Sequence, residues 1–482
     1  MTTTAGDQGT SGPTMTGRML VVALVSAVSG FLYGYDTGII SGALLQISDE
    51  FDIGHGLEQV IAASILLGAV IGALSGSVLS ERAGRHRTIL VIAVVFVLGT
   101  LAAALAPSPW ALAGGRVLLG VAVGGATQTV PMYVAELAPA ARRGRLVLCF
   151  QLAIGVGIVV ATIVGATEAL DWRIAIGAAA VPALVMGVLM LLLPESPRWL
   201  VRQDRSDDAR AVLERLRPAS YDVDGELAEI ADLDEQERGV RDDRRGWRGL
   251  RQRWVRPALV VGCGIAVFTQ LSGIEMIIYY SPTILTDNGF STSTALQVSV
   301  ALGFAYLVAQ LVGLALVDRV GRRRLALVTI PGAALALGTL GTVFATGHSG
   351  RGSTPFIIAC LVVFMLFTAG GLQLMGWLTG SEIYPLAVRS AGTAAQSAVL
   401  WSTNLLITLT LLSTIELLGV GQTFWLYAAF NVAAFIFVWR LMPELTGRSL
   451  ENIESHLANG EFSPADFEEP EPEPEPEPAP GR

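Results

Sequence analysis

The sequence predicts an all-α membrane protein whose twelve transmembrane helices form two six-helix halves joined by a helical linker. Of its 482 residues, 52% are hydrophobic and 15% are charged, whereas about a quarter of the residues in a soluble domain are charged. Apolar runs of about 20 residues recur along the chain, and each is long enough to cross a hydrocarbon core of about 30 Å. These runs lie at 19–45, 58–80, 88–106, 110–134, 146–166, 172–193, 256–282, 295–317, 325–346, 355–380, 391–416 and 421–442.

The grouping of the apolar runs sets the expected domain boundaries. We predict a disordered N-terminus at 1–17, a first half at 18–193, a cytoplasmic linker with short helices at 194–255, a second half at 256–442 and a cytoplasmic tail at 443–482. From about residue 468 the tail is a Pro/Glu repeat, which cannot bury enough apolar surface to fold. The first run lacks the cleavage pattern of a signal peptide, so we expect it to remain as a membrane anchor.

The distribution of arginine predicts the orientation of the chain. There is no lysine, and the arginines concentrate in alternate connections, at 81–87, 141–145, 198–256 and 318–324. Cytoplasmic connections carry the excess positive charge of membrane proteins, so both termini are expected in the cytoplasm. The all-arginine usage and the abundance of Ala, Gly and Val point to a GC-rich bacterium, and therefore to the inner membrane.

The two halves carry matching motifs at corresponding positions. The pattern G-x4-[DE]-R-x-G-R occurs at 76–87 and again at 313–324, each time between the second and third run of its half. ELAPAARRG (136–144) corresponds to EIYPLAVRSAG (382–392), and PESPRWL (194–200) corresponds to PELTGRSL (443–450). Such duplication is typical of transporters whose site lies at the membrane midplane between two halves.

The charges of these repeated motifs form a predicted network at the cytoplasmic face. Its members are Glu81, Arg82, Glu136, Arg143, Asp318, Arg319, Glu382 and Arg389. Clusters of this kind can hold one face closed while the other is open, which makes them a candidate gate. The alternative is that the charges only enforce the topology.

Two opposite charges lie inside the apolar runs. Asp36 is in the first run and Arg116 is in the fourth. A charge at the bilayer centre costs at least about 2.5 kcal/mol, so each is a functional candidate that needs a partner. At 1.5 Å per residue, Asp36 lies about 25 Å and Arg116 about 21 Å from the cytoplasmic face. The similar depths predict that the two side chains pair.

Together these motifs resemble the sugar porter family of the major facilitator superfamily. They are GYDTGIISGAL, the repeated G-x4-[DE]-R-x-G-R, PMYVAELAPAARRG, PESPRWL, QLSGIEMIIYYSP (270–282), GWLTGSEIYP and PELTGRSLENIE, and they extend over residues 19–455. The resemblance implies the major facilitator fold and transport of a monosaccharide or polyol by alternating access.

The resemblance also implies a role for the aspartate. Proton symporters of this family carry Asp in the GYDT motif, whereas the animal facilitative carriers have Asn. A carboxylate that alternates between pairing with Arg116 and protonation carries a proton, which predicts proton:sugar symport. The alternative is a facilitative uniporter in which Asp36 and Arg116 form a static ion pair.

The family's substrate-binding positions carry over to five residues of this chain: Gln151, Gln270, Trp377, Trp401 and Asn404. Buried amides are costly unless they are satisfied, so each amide is a candidate ligand for sugar hydroxyls. Tyr279 and Tyr280 precede Pro282, where we expect a break at the outer part of the seventh run, and they are a candidate gate.

Several positions depart from the family pattern. Thr269 replaces the usual first glutamine of the seventh run, Glu275 replaces an asparagine, and Tyr306 stands where an asparagine is expected in the eighth run. Glu275 lies level with Asp36 and can accept two sugar hydroxyls, bind a proton, or pair with an amino-bearing substrate. The identity of the sugar therefore does not carry over, although Thr269 and Glu275 stay candidate substrate-binding residues.

The sequence does not favour the other functional classes. It has no phosphate-cradling GxxxxGK[ST] and no metal-spaced His or Cys cluster, so we expect neither an enzyme nor a bound cofactor or metal. A drug antiporter would lack PESPRWL and the 270–282 motif, and a nutrient sensor usually carries long cytoplasmic domains. The expected partners are a sugar or polyol, a proton and the lipid bilayer, with no nucleic acid, and the chain is expected to work as a monomer.

Overall fold

The computed structural model describes residues 17–167, 170–218, 221–239, 246–347, 351–448 and 450–467. Twelve segments of these residues are helical, long enough and apolar enough to cross a membrane. Each of them coincides with one predicted run, which confirms the twelve-span, all-α fold. The chain is therefore a multi-pass membrane protein.

The first half contains five continuous spans and one interrupted span. The sixth span is interrupted between Gly177 and Ala180. The helices are α1 (Gly17–Phe51), α2 (His55–Ala83), α3 (Arg85–Ala104), α4 (Pro109–Leu137), α5 (Ala140–Gly165), α6 (Trp172–Gly177) and α7 (Ala180–Leu191).

Glycines allow the helices of this half to meet backbone to backbone. A Cβ atom on Gly34 of α1 would lie 1.9 Å from the carbonyl oxygen of Ile154 on α5. A Cβ atom on Gly120 of α4 would lie 1.9 Å from the carbonyl oxygen of Ile65 on α2. Helix association in membranes depends on such close packing, because lipid supplies no hydrophobic driving force between helices.

The stretch between the halves contains four short helices: α8 (Pro197–Arg202), α9 (Ser206–Leu216), α10 (Val223–Gly239) and α11 (Gly246–Gly249). Arg217 fastens this stretch to the first half. Its guanidinium pairs with Glu226 at 2.6 Å and donates to the Leu137 carbonyl at the end of α4 at 2.8 Å. The exposed carbonyls at the C-terminus of a helix favour a cation, so this contact holds the linker against the fourth span.

The second half repeats the architecture with two broken spans, the seventh and the tenth. The seventh span consists of α12 (Arg256–Leu271) and α13 (Ile274–Asp287), and the tenth span consists of α16 (Thr354–Ala369) and α17 (Leu372–Glu382). The continuous spans are α14 (Thr292–Val320), α15 (Arg322–Ala345), α18 (Arg389–Leu418) and α19 (Val420–Leu441). A last helix, α20 (Leu450–Asn459), follows in the tail.

The break in the seventh span lies at Ser272 and Gly273, not at Pro282 as expected. Gly273 adopts φ +94°, a left-handed conformation that only glycine takes up without strain. Asn431 of α19 donates to the carbonyl of Ser272 at 2.9 Å and so satisfies a backbone group that the break leaves free. Pro282 lies inside α13, where it removes only one helical hydrogen bond.

The tenth span breaks at its own glycine pair. α16 ends at Ala369, Gly370 and Gly371 follow, and α17 begins at Leu372. Thr269, at the end of α12, donates to the Leu372 carbonyl at 3.2 Å. The two broken spans therefore support each other in the middle of the second half.

Candidate functional site

The two membrane charges lie close together. Arg116 Nη1 is 3.9 Å from Asp36 Oδ1, and the exposed fractions of the two side chains are 0% and 6%. Arg116 Nε donates to the Ile61 carbonyl of α2 at 3.0 Å, whereas its two Nη atoms have no hydrogen-bond partner among the described residues. The carboxylate is thus near the guanidinium without being hydrogen-bonded to it.

Tyr279 connects this pair to the second half. Its phenol lies within electrostatic range of Asp36, Arg116 and Glu275, and its side chain is buried. Tyr280, the next residue, donates to the Thr408 carbonyl of α18 at 3.0 Å. Both tyrosines belong to α13, which packs directly against α1. A movement of α13 away from α1 would therefore change the surroundings of Asp36.

Three aromatic rings from both halves form one cluster. The ring of Tyr33 on α1 lies 5.5 Å from Trp401 and 6.3 Å from Trp377, and the two indoles are 6.3 Å apart. All three pairs meet edge to face, a favourable geometry for aromatic rings. Aromatic faces of this kind can cover the C–H faces of a sugar ring.

Several buried side chains of the transmembrane helices have polar atoms that no described residue satisfies. A buried polar atom without a partner costs about 1–3 kcal/mol, so native proteins have few of them. Those on amide, acid and indole side chains are Gln151 Nε2, Gln270 Oε1, Glu275 Oε2, Gln310 Oε1, Gln373 Oε1, Trp401 Nε1 and Asn404 Nδ2. They include both donors and acceptors, and a hydroxyl can match either kind.

Contacts through Tyr306 connect Gln310, Glu275 and Gln373. The Gln310 amide donates to the Tyr306 hydroxyl at 3.1 Å. Tyr306 in turn lies within electrostatic range of Glu275 and near Gln373. Gly155, one turn after Gln151 on α5, faces the Gln310 side chain across the interface between the halves. The contacts therefore join α1 and α5 of the first half to α13, α14, α17 and α18 of the second.

Thr269 has an internal partner. Its hydroxyl donates to the Leu372 carbonyl, and its side chain packs on Gly376 of α17. In the Asn404 amide only the oxygen has a partner. Oδ1 accepts from Thr408 Oγ1 at 3.1 Å, whereas Nδ2 is unpartnered among the described residues. Thr269 thus supports the helix breaks, and Asn404 offers its NH2 group to the site.

The arginine-rich end has one charge cluster in each half. In the first half Arg85 pairs with Glu136 at 3.0 Å, and in the second half Arg322 pairs with Glu382 at 2.9 Å and with Asp318 at 2.8 Å. Arg389 donates to the Tyr384 carbonyl at 3.2 Å. The side chain of Arg143 lies outside the described residues.

Arg82 and Arg319, which were predicted to belong to the charge network, do not take part in this pairing. Arg82 and Arg319 are exposed and make no ion pair with a described residue. The arginines that pair, Arg85 and Arg322, lie three residues later, just after Gly84 and Gly321, which adopt φ +94° and +99°. The chain turns at these glycines, and the turn directs the following arginine towards the fourth span of its half.

Two further acids complete each cluster. Glu195 Oε1 accepts from the backbone N–H groups of Arg85 and His86 at 2.9 and 3.0 Å, and so caps α3. Glu444 Oε1 accepts from the N–H of Arg322 at 2.8 Å and caps α15 in the same way. These acids belong to the corresponding motifs PESPRWL and PELTGRSL. The structure gives the reason for the match, because each acid caps the third helix of its half.

Hydrogen bonds join the two halves at both ends. At the arginine-rich end Ser390 Oγ donates to Glu81 at 2.8 Å, and Gln128 bonds with Thr393 and Ser397. At the opposite end His55 Nδ1 is 2.8 Å from Glu416 and Nε2 is 3.4 Å from Asp287. The site thus lies between two sets of contacts. Opening the protein at either end would require breaking the contacts at that end.

Sequence reasoning missed Tyr33, Gln310 and Gln373. Tyr33 lies three residues before Asp36 on the same helix, and a search for polar residues at helical spacing from Asp36 would have found it. Gln310 and Gln373 are amides inside apolar runs, the same signal that selected Gln151 and Gln270. Neither lies in one of the motifs on which the family resemblance rests.

A two-half membrane fold with a buried polar and aromatic site between the halves defines a membrane transporter. The chain matches the sugar (and other) transporter family over residues 22–457 and belongs to it. It is a sugar-porter-type transporter and not an enzyme.

Individual relatives cover nearly the whole chain. It is 35% identical over 441 residues to a D-xylose transporter of Levilactobacillus brevis, covering 90% of this chain and 95% of that one. It is 34% identical over 462 residues to the galactose-proton symporter of Escherichia coli K12, covering 95% and 97%. The structure of the proton:xylose symporter XylE bound to 6-bromo-6-deoxy-D-glucose matches with a TM-score of 0.76 and 26% identity, covering 91% of this chain and 98% of that one.

Proposed function

We propose that this protein takes up a monosaccharide or polyol together with a proton, by alternating access across the bacterial inner membrane. The observation that carries the proposal is the buried Asp36–Arg116 pair, which Tyr279 connects to Glu275, a buried acid whose Oε2 atom no described residue satisfies. Two of the relatives named above are a D-xylose transporter and a galactose-proton symporter, which supports a sugar as the substrate and a proton as the coupling ion. The arginine-rich end is then cytoplasmic, in keeping with the excess of positive charge there.

The substrate would lie between the halves. Gln151 and Asn404 offer N–H donors, Gln270 and Gln310 offer acceptors, and the rings of Tyr33, Trp377 and Trp401 form an apolar wall. This combination suits a ring or chain of hydroxyl groups with an apolar face, and it offers no phosphate-binding cation apart from Arg116. A neutral sugar or polyol fits these groups better than a sugar phosphate.

Proton coupling would follow from the position of α13. When the outer end opens, α13 and Tyr279 move away from α1, and Asp36 becomes open to water and takes up a proton. Substrate binding draws α13 back and closes the outer end. When the cytoplasmic end opens, Asp36 loses its proton and pairs again with Arg116. Moving one charge through 100 mV is worth about 2.3 kcal/mol, which can concentrate a substrate roughly 50-fold.

The test is uptake of labelled D-xylose, D-galactose, D-glucose and myo-inositol into proteoliposomes, with and without an inward proton gradient. Wild type should accumulate a substrate above equilibrium only when the gradient is present, and Asp36→Asn should merely equilibrate it. If both proteins equilibrate a substrate at similar rates regardless of the gradient, the protein is a facilitator and the Asp36–Arg116 pair is static.

A further inference from the structure

Glu275 is a buried acid that proton exchange at Asp36 does not use. It lies in the first turn of α13, directly after the break in the seventh span, and is 3% exposed. Its Oε2 atom has no hydrogen-bond partner among the described residues.

The surroundings of Glu275 are rich in phenols. Tyr33 on α1, Tyr279 on α13 and Tyr306 on α14 lie within electrostatic range of Glu275. Asp36 on α1 and Arg116 on α4 lie within range of Tyr279, and Tyr427 of α19 packs near Gly273, two residues before Glu275. Tyr280, farther along α13, lies within range of Arg116, Tyr427 and Glu58 of α2. Of the other helices packed on α13, α12 and α18 have charged residues only in their terminal turns, and α16 has none.

No cation neutralises this carboxyl group within the described part of the chain. Arg116, which lies within electrostatic range of the neighbouring Tyr279, is paired with Asp36. The N-terminus of α13 contributes only a partial positive charge of about half a unit. Ionising a buried carboxyl group without a full counter-charge is unfavourable, and such groups neutralise by binding a proton instead. A protonated carboxyl group can also donate a hydrogen bond, which a carboxylate cannot do.

We propose that Glu275 is a second proton-binding group of this transporter, and that it binds the substrate in its protonated form by donating a hydrogen bond to a substrate hydroxyl. The proton comes from bulk water on the side to which the site is open, and it returns to bulk water when Glu275 ionises after the substrate has left. The inference rests on the proposed function and adds to it a pH-dependent affinity that does not depend on Asp36.

The experiment measures substrate binding rather than transport, in a background that carries both Asp36→Asn and Arg116→Gln, so that the coupling acid is removed without leaving its cation free to pair with Glu275. Binding of D-xylose, D-galactose, D-glucose and myo-inositol to purified protein is followed by calorimetry as a function of pH. In this background the Kd should rise by up to tenfold per pH unit once Glu275 ionises, because one proton is linked to binding. When Glu275→Gln is added to the background, the Kd should be independent of pH, since glutamine is a permanently neutral donor.

Two results would overturn the inference. One is a Kd that varies with pH equally in the presence and absence of Glu275→Gln. The other is a loss of binding at every pH in both Glu275→Gln and Glu275→Asn, because a neutral donor should suffice for binding. For this result to count, both variants must keep the melting temperature and elution volume of the parent protein, which show that they are folded.

A second measurement needs no substrate. The infrared spectrum of the sugar-free protein with Asp36→Asn and Arg116→Gln should contain a protonated-carboxyl band that decreases with rising pH and is missing after Glu275→Gln. If that band is unchanged by the substitution, Glu275 does not bind a proton and the inference fails. If instead the band is lost as expected but wild type binds none of the sugars or polyols, the proposed function fails while the proton site stands.

Discussion

His55 and Glu416 hold the two halves of the transporter together at the end opposite the arginine-rich loops. His55 begins the second span, Glu416 lies in the last turn of the eleventh, and His55 Nδ1 is 2.8 Å from Glu416 Oε1. Gln59, one turn later, donates to Ser413 Oγ at 2.9 Å. The second and eleventh spans therefore meet at this end through two adjacent polar contacts.

Removing this contact should favour opening of this end of the site. We expect His55→Ala to raise the population of the state that is open at this end roughly two- to five-fold, since a partly exposed ion pair is worth up to about 1 kcal/mol. Distances between spin labels at the exposed positions Gly56 and Leu417 would report the change, in a background from which Cys149, Cys263 and Cys360 are removed. His456→Ala, in the tail helix, is the control. An unchanged distance distribution in His55→Ala would show that the contact does not hold this end closed.

Arg116→Gln should uncouple transport without abolishing exchange. Without its cation, Asp36 stays protonated in the buried site, so the cycle no longer releases a proton to the cytoplasm. Gradient-driven accumulation should fall to the level of Asp36→Asn, and the double variant should equal that single variant. Counterflow and accumulation assays separate the two activities. A double variant clearly worse than either single one would mean that the two residues act independently.

Trp401→Phe should weaken substrate binding by about two- to tenfold. The change keeps an aromatic ring but removes the unpartnered Nε1–H, and a neutral hydrogen bond contributes about 0.5–1.5 kcal/mol. Trp425→Phe is the matched control, because its Nε1 donates to the Gly338 carbonyl away from the site. Equal affinities of both variants for every sugar tested would exclude Trp401 Nε1 as a ligand.

Gly34→Ala should lower the melting temperature by several degrees. The added methyl group would lie 1.9 Å from the Ile154 carbonyl oxygen, so α1 and α5 must separate. Gly114→Ala is the control, because nothing lies within 4 Å of the added carbon, and alanine favours a helix over glycine by about 1 kcal/mol. Thermal unfolding in detergent compares the two. Equal destabilisation by both substitutions would contradict the close packing of α1 on α5.

Glu195→Ala should destabilise the first half by about 1–2 kcal/mol, through loss of a charged cap on α3. Glu195→Gln, which keeps an acceptor, should cost less. Glu214→Ala on the exposed side of α9 is the control. Denaturant titration of the three variants tests this order, and a Glu195→Ala protein as stable as Glu214→Ala would contradict the capping role.

The sequence predicted well those features that depend on local pattern. The twelve spans followed from run length and composition, because any backbone that crosses lipid must satisfy its hydrogen bonds internally as a helix. The closeness of Asp36 and Arg116 followed from helix rise alone, since both lie in continuous spans. The prediction placed the break at Pro282, but this proline lies inside a helix that continues past it. The helix is interrupted instead at Gly273, because its positive φ is incompatible with a right-handed helix.

The sequence by itself determined the membrane fold, the duplication of the halves and the candidate proton pair. Only the tertiary structure decided which arginine of each repeated motif pairs with the fourth span, because the turn at Gly84 or Gly321 sets the direction of the following side chain. It also brought Tyr33 against Trp401, and Gln310 against the face of α5. Those contacts join residues far apart in the chain, and their geometry depends on how closely the helices approach, which glycine packing sets and hydropathy does not record.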